Sequence, residues 1–396
     1  MMWLWLLVVA GKTSTTELIC KIFEDNGYKV GCNREGSNLT EGVTTMILNA
    51  CSLNGECKKD VLIIESDERY LRHTLKHFRP KYLVVLNLYR DQLGRNGHPE
   101  LIYDIIKEAI ADDIHLVLNA DDPLVASYGF NRDNVTYFGM SKNDFSTDEF
   151  VGVANDGAFC PICKEPMEYD FYHYNHIGSY KCKACGYKRV EPQHAVTNLD
   201  LVNKQLTINN KNKITMDLSS VFTAYNLLAA YAVAKLVGIK GEKIIEPLNE
   251  YVLQNGRVQK YDINGKPCTI LMAKHENTVS YNQNLLHIVR EKIPSTVVLI
   301  LDDVSRRYFT VETAWLWDID FELLKNDSVK KIIVGGRYVH DYTTRLEFAG
   351  IDMKKVVGFE DLDDMMKEVK EKPKGDMIYL VTCFLDKTKF IARIKD

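Results

Sequence analysis

Two C-x-x-C pairs, Cys160/Cys163 and Cys182/Cys185, are separated by residues 164–181. Each pair sets two thiolates on one tight knuckle, and a linker of that length folds as a hairpin that brings the second knuckle opposite the first. Four thiolates then complete a closed tetrahedron, the coordination of a structural zinc ion. A closed site has no open position, so the ion holds structure and does no chemistry. The chain carries ten cysteines in 396 residues, too few for a disulfide scaffold, and in a reducing compartment this spacing selects metal over disulfide. The other six, Cys20 and Cys51 among them, lie in periodic apolar stretches and read as small core residues rather than reactive thiols. His173 and His176 lie between the pairs and read as surface side chains, not ligands.

The cysteine-bearing stretch, 157–191, has no long apolar period and reads as a self-contained insertion into a chain of different rhythm. Upstream, an apolar run from Leu4 to Val9 meets Gly11-Lys12-Thr13 and then a helical pattern through Leu18, Ile19, Ile22 and Phe23. Further strands of the buried parallel kind are expected at Val61–Glu65, Tyr82–Leu88 and His115–Asn119, with a helix over Glu100–Ala111. This alternation implies a doubly wound α/β sheet. After the insertion come short alternating strands (Ala195–Met216) and helical patterns over Phe222–Val237 and Lys243–Leu253. Asn255-Gly256 breaks the chain. A second α/β rhythm follows, with strands at Thr269–Met272, Thr296–Leu301, Lys331–Gly335 and Met377–Thr382.

Composition narrows the function. At 46% hydrophobic and 26% charged residues, the chain can bury a real core, and its formal net charge of -4 with interspersed signs offers no basic face to a nucleic-acid backbone. Lys181, Lys183, Lys188 and Arg189 form a local cluster that a solvated face explains. The apolar run Trp3–Ala10 is far shorter than the ~20 residues of a spanning helix. It also lacks the flanks of a signal peptide. We therefore expect no transmembrane segment and a cytoplasmic protein.

Gly11-Lys12-Thr13, after a strand and before a helix, has the parts of a phosphate-binding loop: backbone N–H groups and a helix N-terminus for phosphates, Lys12 for the β/γ oxygens, Thr13 for magnesium. A full motif has another glycine upstream, where this chain has Leu6 and Val8. Glu65 ends an apolar strand in Ile63-Ile64-Glu65-Ser66-Asp67-Glu68, the carboxyl edge at which such sheets present ligands, and a carboxylate there can hold magnesium. Taken alone, G-K-T is a common tripeptide and Glu65 reads equally as a solvated strand end.

Several stretches together resemble one family, the Mur ligase-like MurT subunits of lipid II isoglutaminyl synthase. They are Gly11-Lys12-Thr13-Ser14-Thr15-Thr16, the run from Asn33 to Leu39, Glu65-Ser66-Asp67-Glu68, Asn87-Leu88-Tyr89-Arg90-Asp91-Gln92-Leu93 and Asn119-Ala120-Asp121-Asp122-Pro123. The four-cysteine ribbon, Tyr225-Asn226, Gly256-Arg257-Val258-Gln259, the run from Trp315 to Glu322 and Gly335-Gly336-Arg337 continue the pattern in order. The resemblance covers nearly the whole chain.

The resemblance implies an α/β Mur ligase central P-loop domain over 1–254, with a parallel sheet and the zinc ribbon inserted at 157–191, then a C-terminal α/β domain over 255–396. It implies ATP-dependent amidation of the D-glutamate α-carboxylate of lipid II through an acyl phosphate, at the cytoplasmic membrane face. Ammonia would come from a glutaminase subunit of the GatD type. ATP and Mg2+ would be held by Gly11, Lys12, Thr13, Ser14 and Glu65, with Asn226 at the adenine and Arg257 on the nucleotide. A C-terminal aspartate, Asp318 or Asp320, would complete the partner's cysteine and histidine.

Departures from the family pattern are Val8 in place of glycine, Ala10 in place of asparagine, and a start close to the loop, which make ATP use the most exposed expectation. Ala273–Asn277 and Thr382–Leu385 also differ, which bears on the acceptor and the partner. Two other readings share part of these features: a self-sufficient ADP-forming amino-acid ligase, and a scaffold subunit whose phosphate loop has decayed.

Overall fold

The computed structural model describes residues 4–9, 12–33, 38–92, 96–216, 218, 220–251, 258–273, 276–304 and 312–395. The chain forms two compact units. The first comprises Met1–Tyr89, Pro99–Val151 and Asn155–Leu253; the second comprises Arg90–His98, Gly152–Ala154 and Gln254–Asp396.

The first unit alternates β1 (Leu4–Val9), α1 (Lys12–Asp25), β2 (Val30–Cys32), α2 (Thr40–Ala50), β3 (Val61–Glu65), α3 (Leu71–His77), β4 (Tyr82–Val85), α4 (Pro99–Ala109), β5 (His115–Asn119) and β6 (Val135–Met140). The ribbon hairpin β7 (Glu168–Tyr174) and β8 (Ile177–Lys181) follows, then β9 (His194–Asp200), β10 (Gln205–Ile208), β11 (Asn212–Thr215), α5 (Val221–Leu236) and α6 (Gly241–Asn249). The described strands order as β11-β10-β9-β6-β5-β4-β1-β3-β2. Pairing is parallel from β2 to β9 and antiparallel across β9, β10 and β11.

Helices on both faces explain why the central strands are continuous apolar runs: all five residues of β3 and all four of β4 are buried. In α1, Leu18, Ile19, Ile22 and Phe23 fall at helical spacing and are fully buried. The strand expected over Tyr82–Leu88 ends at Val85, although Leu86 and Leu88 stay buried. Burial outlasts strand geometry there, and an apolar run cannot tell the two apart.

The ribbon is not self-contained. Cys160, Tyr180, Cys182 and Tyr187 belong to the same apolar cluster as Leu116, Leu124, Val125 and Tyr128. His173 and His176, expected at the surface, are buried, because the β7–β8 hairpin lies against the segment after β5. Gly178 N donates to Asp121 O at 2.8 Å, and the Tyr187 hydroxyl donates to Pro123 O at 2.6 Å.

The second unit holds β12 (Val258–Ile263), β13 (Lys266–Ala273), α7 (Thr278–Glu291), β14 (Ser295–Ile300), β15 (Val329–Gly335), α8 (Val339–Phe348), β16 (Val356–Phe359), α9 (Leu362–Glu371), β17 (Met377–Cys383) and α10 (Phe384–Lys395). Strand order is β12-β13-β17-β14-β15-β16, parallel except for β12 on β13. The two edge strands were not anticipated: β12 alternates exposed and half-buried positions up to the buried Ile263, and β16 is four residues long.

Candidate active site and metal centre

In the first unit β1 and β3 run parallel with Val8 opposite Glu65, so the two strands end side by side. At that edge the Thr13 hydroxyl donates to Glu65 Oε1 at 3.2 Å. Glu65 is 4% exposed. Its main chain is clamped on both sides by one amide: Asn33 Nδ2 donates to Glu65 O, and Glu65 N donates to Asn33 Oδ1, each at 2.8 Å. Asp67 N donates to Asn38 O at 2.9 Å, and the Asp67 side chain caps the following turn by accepting from Arg69 N.

Lys12 is the first residue of α1, and Ser14 lies in the same turn, half-buried. Gly11, the Lys12 side chain and Arg257 lie outside the described residues. Asn226 is half-buried on α5, a helix that packs against α1. The fold thus brings Thr13 and Glu65 into contact and puts Asn226 on a neighbouring element.

The four ribbon cysteines converge. Their sulfurs all lie within 4.8 Å of one another, with Cys160 and Cys185 at 3.7 Å and Cys163 and Cys182 at 3.5 Å. Four sulfurs around a zinc ion at ~2.3 Å stand ~3.8 Å apart, so this spacing suits a tetrahedral metal. The two knuckles are built alike. Cys160 N donates to Glu165 O and Lys164 N to Cys160 O; Cys182 N donates to Tyr187 O and Gly186 N to Cys182 O. Each knuckle returns through a left-handed residue, Lys164 (φ +66°) in the first and Gly186 (φ +77°) in the second. Glycine meets that need without a Cβ penalty. Backbone N–H donation from Cys185 lowers the pKa of the Cys182 thiol, whereas burial raises that of Cys160.

Sequence reasoning missed the polar hub beneath the ribbon. Asp121 is wholly buried, and its carboxylate accepts from Arg189 Nε at 2.6 Å, Met140 N at 2.6 Å and the Tyr225 hydroxyl. Asp122 caps the one-turn helix Pro123–Ala126 and also accepts from Leu88 N at 2.7 Å. His176 Nε2 stands 3.6 Å from Asp122 Oδ1. Burial lowers the pKa of His173; at His176 burial is outweighed by Asp122 together with Asp156 and the Leu88 main chain, and the pKa is raised. The motif Asn119–Pro123 was visible in sequence; the ribbon residues that answer it were not.

In the second unit Asp318 and Asp320 have different surroundings. Asp318 ends a short turn, Ala314–Asp318, and pairs with Arg90 Nη1 at 2.6 Å. Asp320 is 8% exposed; it accepts from Val153 N at 2.6 Å and from Asn282 Nδ2 at 2.7 Å, while Asp320 N donates to Asn282 Oδ1. Burial pushes the Asp320 carboxyl up to about 6. Beside Asp318, Trp317 is 46% exposed and meets Phe348 edge-on at 5.3 Å. A third acidic group, Asp302, Asp303 and Asp386, gathers at the carboxyl ends of β14 and β17. Lys389 sits among the three, 2.7 Å from Asp303 and 3.4 Å from Asp386. Its ammonium already supplies the cation, which makes this a salt-bridge knot.

Family models match both parts of the chain: the Mur ligase middle domain over residues 10–234 and the MurT ligase C-terminal domain over residues 275–384. The lipid II isoglutaminyl synthase (glutamine-hydrolyzing) subunit MurT of Staphylococcus aureus (strain COL) is 30% identical over 348 residues, covering 88% of this chain and 77% of that protein. The subunit of the same name from Streptococcus pneumoniae (strain ATCC BAA-255 / R6) is 27% identical over 371 residues, 91% of this chain and 80% of that one. Among solved structures, a pseudomurein peptide ligase type C from Methanothermus fervidus aligns with TM-score 0.73 at 22% identity, over 99% of this chain and 78% of that one. A MurF ligase from Thermotoga maritima in complex with ADP aligns with TM-score 0.61 at 17% identity, over 99% and 80%. These two establish the α/β ligase fold.

Proposed function

Because the chain belongs to the MurT family, the Mur-type ligase subunits of lipid II isoglutaminyl synthase, we propose that it phosphorylates the D-glutamate α-carboxylate of lipid II and offers the acyl phosphate to ammonia from a GatD-type glutaminase. The chain is an ATP-dependent ligase of peptidoglycan synthesis. The observation that carries the residue assignment is the Thr13–Glu65 contact, a hydroxyl in the first turn of α1 meeting a buried carboxylate at the end of β3.

These oxygen donors fit a magnesium nucleotide, since magnesium prefers one or two carboxylates plus phosphate oxygens. When bound, MgATP supplies the phosphoryl group and the charge that neutralises it in transfer. The chain's own residues position. Glu65, held rigid by Asn33, fixes a negative charge at the carboxyl edge; Thr13 orients against it; Gly11, Lys12 and Ser14 hold phosphate oxygens, and Asn226 meets the adenine. A carboxylate is a poor electrophile until phosphorylated. Attack by ammonia then forms the C–N bond, breaks the acyl C–O bond and releases inorganic phosphate.

Zinc is the metal that the four thiolates suit, and it holds the ribbon without taking part in transfer. Of the two aspartates we assign Asp318 to the glutaminase: it is half-buried at the end of the turn that carries the exposed Trp317, whereas Asp320 is buried and accepts from Val153 N and Asn282 Nδ2. No described helix is long and apolar enough to cross a membrane; we place the chain in the cytoplasm, where it meets lipid II at the membrane face.

The test is reconstitution. With its glutaminase, the chain should convert lipid II, glutamine and ATP into amidated lipid II, ADP and phosphate. Full glutamine-dependent activity of the isolated chain would refute the division of labour, and preference for an amino acid over ammonium would identify a self-sufficient ligase.

A further inference from the structure

Cys51 and Cys57 face each other across an isolated antiparallel bridge at the end of α2. Ser52 N donates to Glu56 O at 2.7 Å, and Lys58 N donates to Ala50 O at 2.8 Å. These bonds flank the cysteines, which therefore occupy a non-hydrogen-bonded position of the ladder. At such a position paired Cα atoms stand ~4.5 Å apart with both side chains on one face. A disulfide spans Cα separations of ~4.4–6.8 Å. Gly55, at φ +84°, makes the tight return that sets this register. Both thiols are half-buried, and neither belongs to the ribbon. Burial, with Cys51 alongside, raises the Cys57 pKa.

We propose that Cys51 and Cys57 are a site of reversible covalent modification, closing to an intramolecular disulfide by exchange with a low-molecular-weight disulfide. In the first step the Cys51 thiolate attacks one sulfur of the small disulfide; a mixed disulfide forms, the small S–S bond breaks, and one small thiolate leaves. Cys57, as its thiolate, then attacks the Cys51 sulfur, forms the Cys51–Cys57 bond and expels the second small thiolate. The two cysteine protons end on the two released thiols, so two cysteines are oxidised and one small disulfide is reduced. The bond ties the C-terminus of α2 to residues 58–60, which lead into β3 and so to Glu65. This inference is independent of the ligase reading.

Oxidised glutathione added to the full-length, zinc-loaded protein tests it, followed by thiol alkylation and cleavage after Glu56 without reductant. The expected result is two peptides that stay joined through Cys51 and Cys57 and separate on reduction. Cys57→Ser should accumulate a stable glutathione adduct on Cys51, whereas Cys51→Ser should leave Cys57 mostly unmodified. Equal melting temperatures for wild type and variants under reductant establish that the variants fold. Separate adducts on the two wild-type cysteines, or full alkylation of both after the oxidised incubation, would overturn the proposal.

Discussion

Arg189 Nε lies 2.6 Å from Asp121 Oδ1, and Arg189 Nη2 donates to the Met140 carbonyl at 3.0 Å. The residue that leads out of the second knuckle is thereby the counter-charge of a carboxylate that has no exposed surface. Removing one partner of such a pair leaves an uncompensated buried charge. Arg189→Met should therefore cost ~3–5 kcal/mol in urea unfolding. A loss below ~1 kcal/mol would mean that solvent reaches Asp121.

The ribbon metal should be part of the fold rather than an ornament on it. Cys182 is both a ligand candidate and a member of the apolar cluster that includes Leu116 and Leu124. Cys182→Ser should abolish stoichiometric zinc and lower stability by at least ~2 kcal/mol, because metal-binding energy here is folding energy. Elemental analysis with calorimetric melting checks both. Unchanged melting in a zinc-free variant would contradict the assignment.

Glu65→Gln should reduce amidation by ~10²–10³-fold, the usual cost of losing one preorganised charge at a transfer site. Stability should hold within ~1 kcal/mol, since the Asn33 clamp uses only the Glu65 main chain. Single-turnover ADP formation is the readout. Wild-type rates in the variant would remove Glu65 from the site.

Asp318→Asn should impair glutamine-dependent amidation while leaving ammonium-dependent amidation and stability near wild type. Asp320→Asn should instead destabilise, because an amide cannot accept from both Val153 N and Asn282 Nδ2. The reverse pattern in the paired assays would reassign the partner-facing aspartate to Asp320.

Asp320 also predicts a pH dependence. Its folded pKa, about 6, is above the unfolded value of ~3.9, so the folded state binds the proton more tightly. Its contribution to stability is complete below pH ~4 and is lost as pH rises through about 6, amounting to ~3 kcal/mol at most. Asp320→Asn should flatten the stability profile over that interval. A variant profile parallel to wild type would mean that another group titrates there.

The legible and illegible parts of this protein divide by sequence distance. Buried parallel strands such as β3 announce themselves because both faces are apolar, and two C-x-x-C knuckles announce a metal because the whole ligand set is local in pattern. Burial of His173 and His176 depends on Asp121 and Asp122, residues fifty or so positions away, and no periodicity records that. The choice between Asp318 and Asp320 likewise rests on Arg90, Val153 and Asn282. Cys51 read as a core residue because α2 is apolar, and the structure leaves it half-buried. The signal for its pairing was present: Asn54-Gly55 between the two cysteines marks a tight return.

The second unit borrows two short pieces of chain, Arg90–His98 and Gly152–Ala154, from the middle of the sequence that builds the first. Those pieces bring the cation for Asp318 and the main-chain donor for Asp320. A gene fragment cut after codon 253 would encode the second unit without either. Expressed from residue 254 onward, this unit would lose the Arg90 ion pair and the Val153 hydrogen bond at the two aspartates.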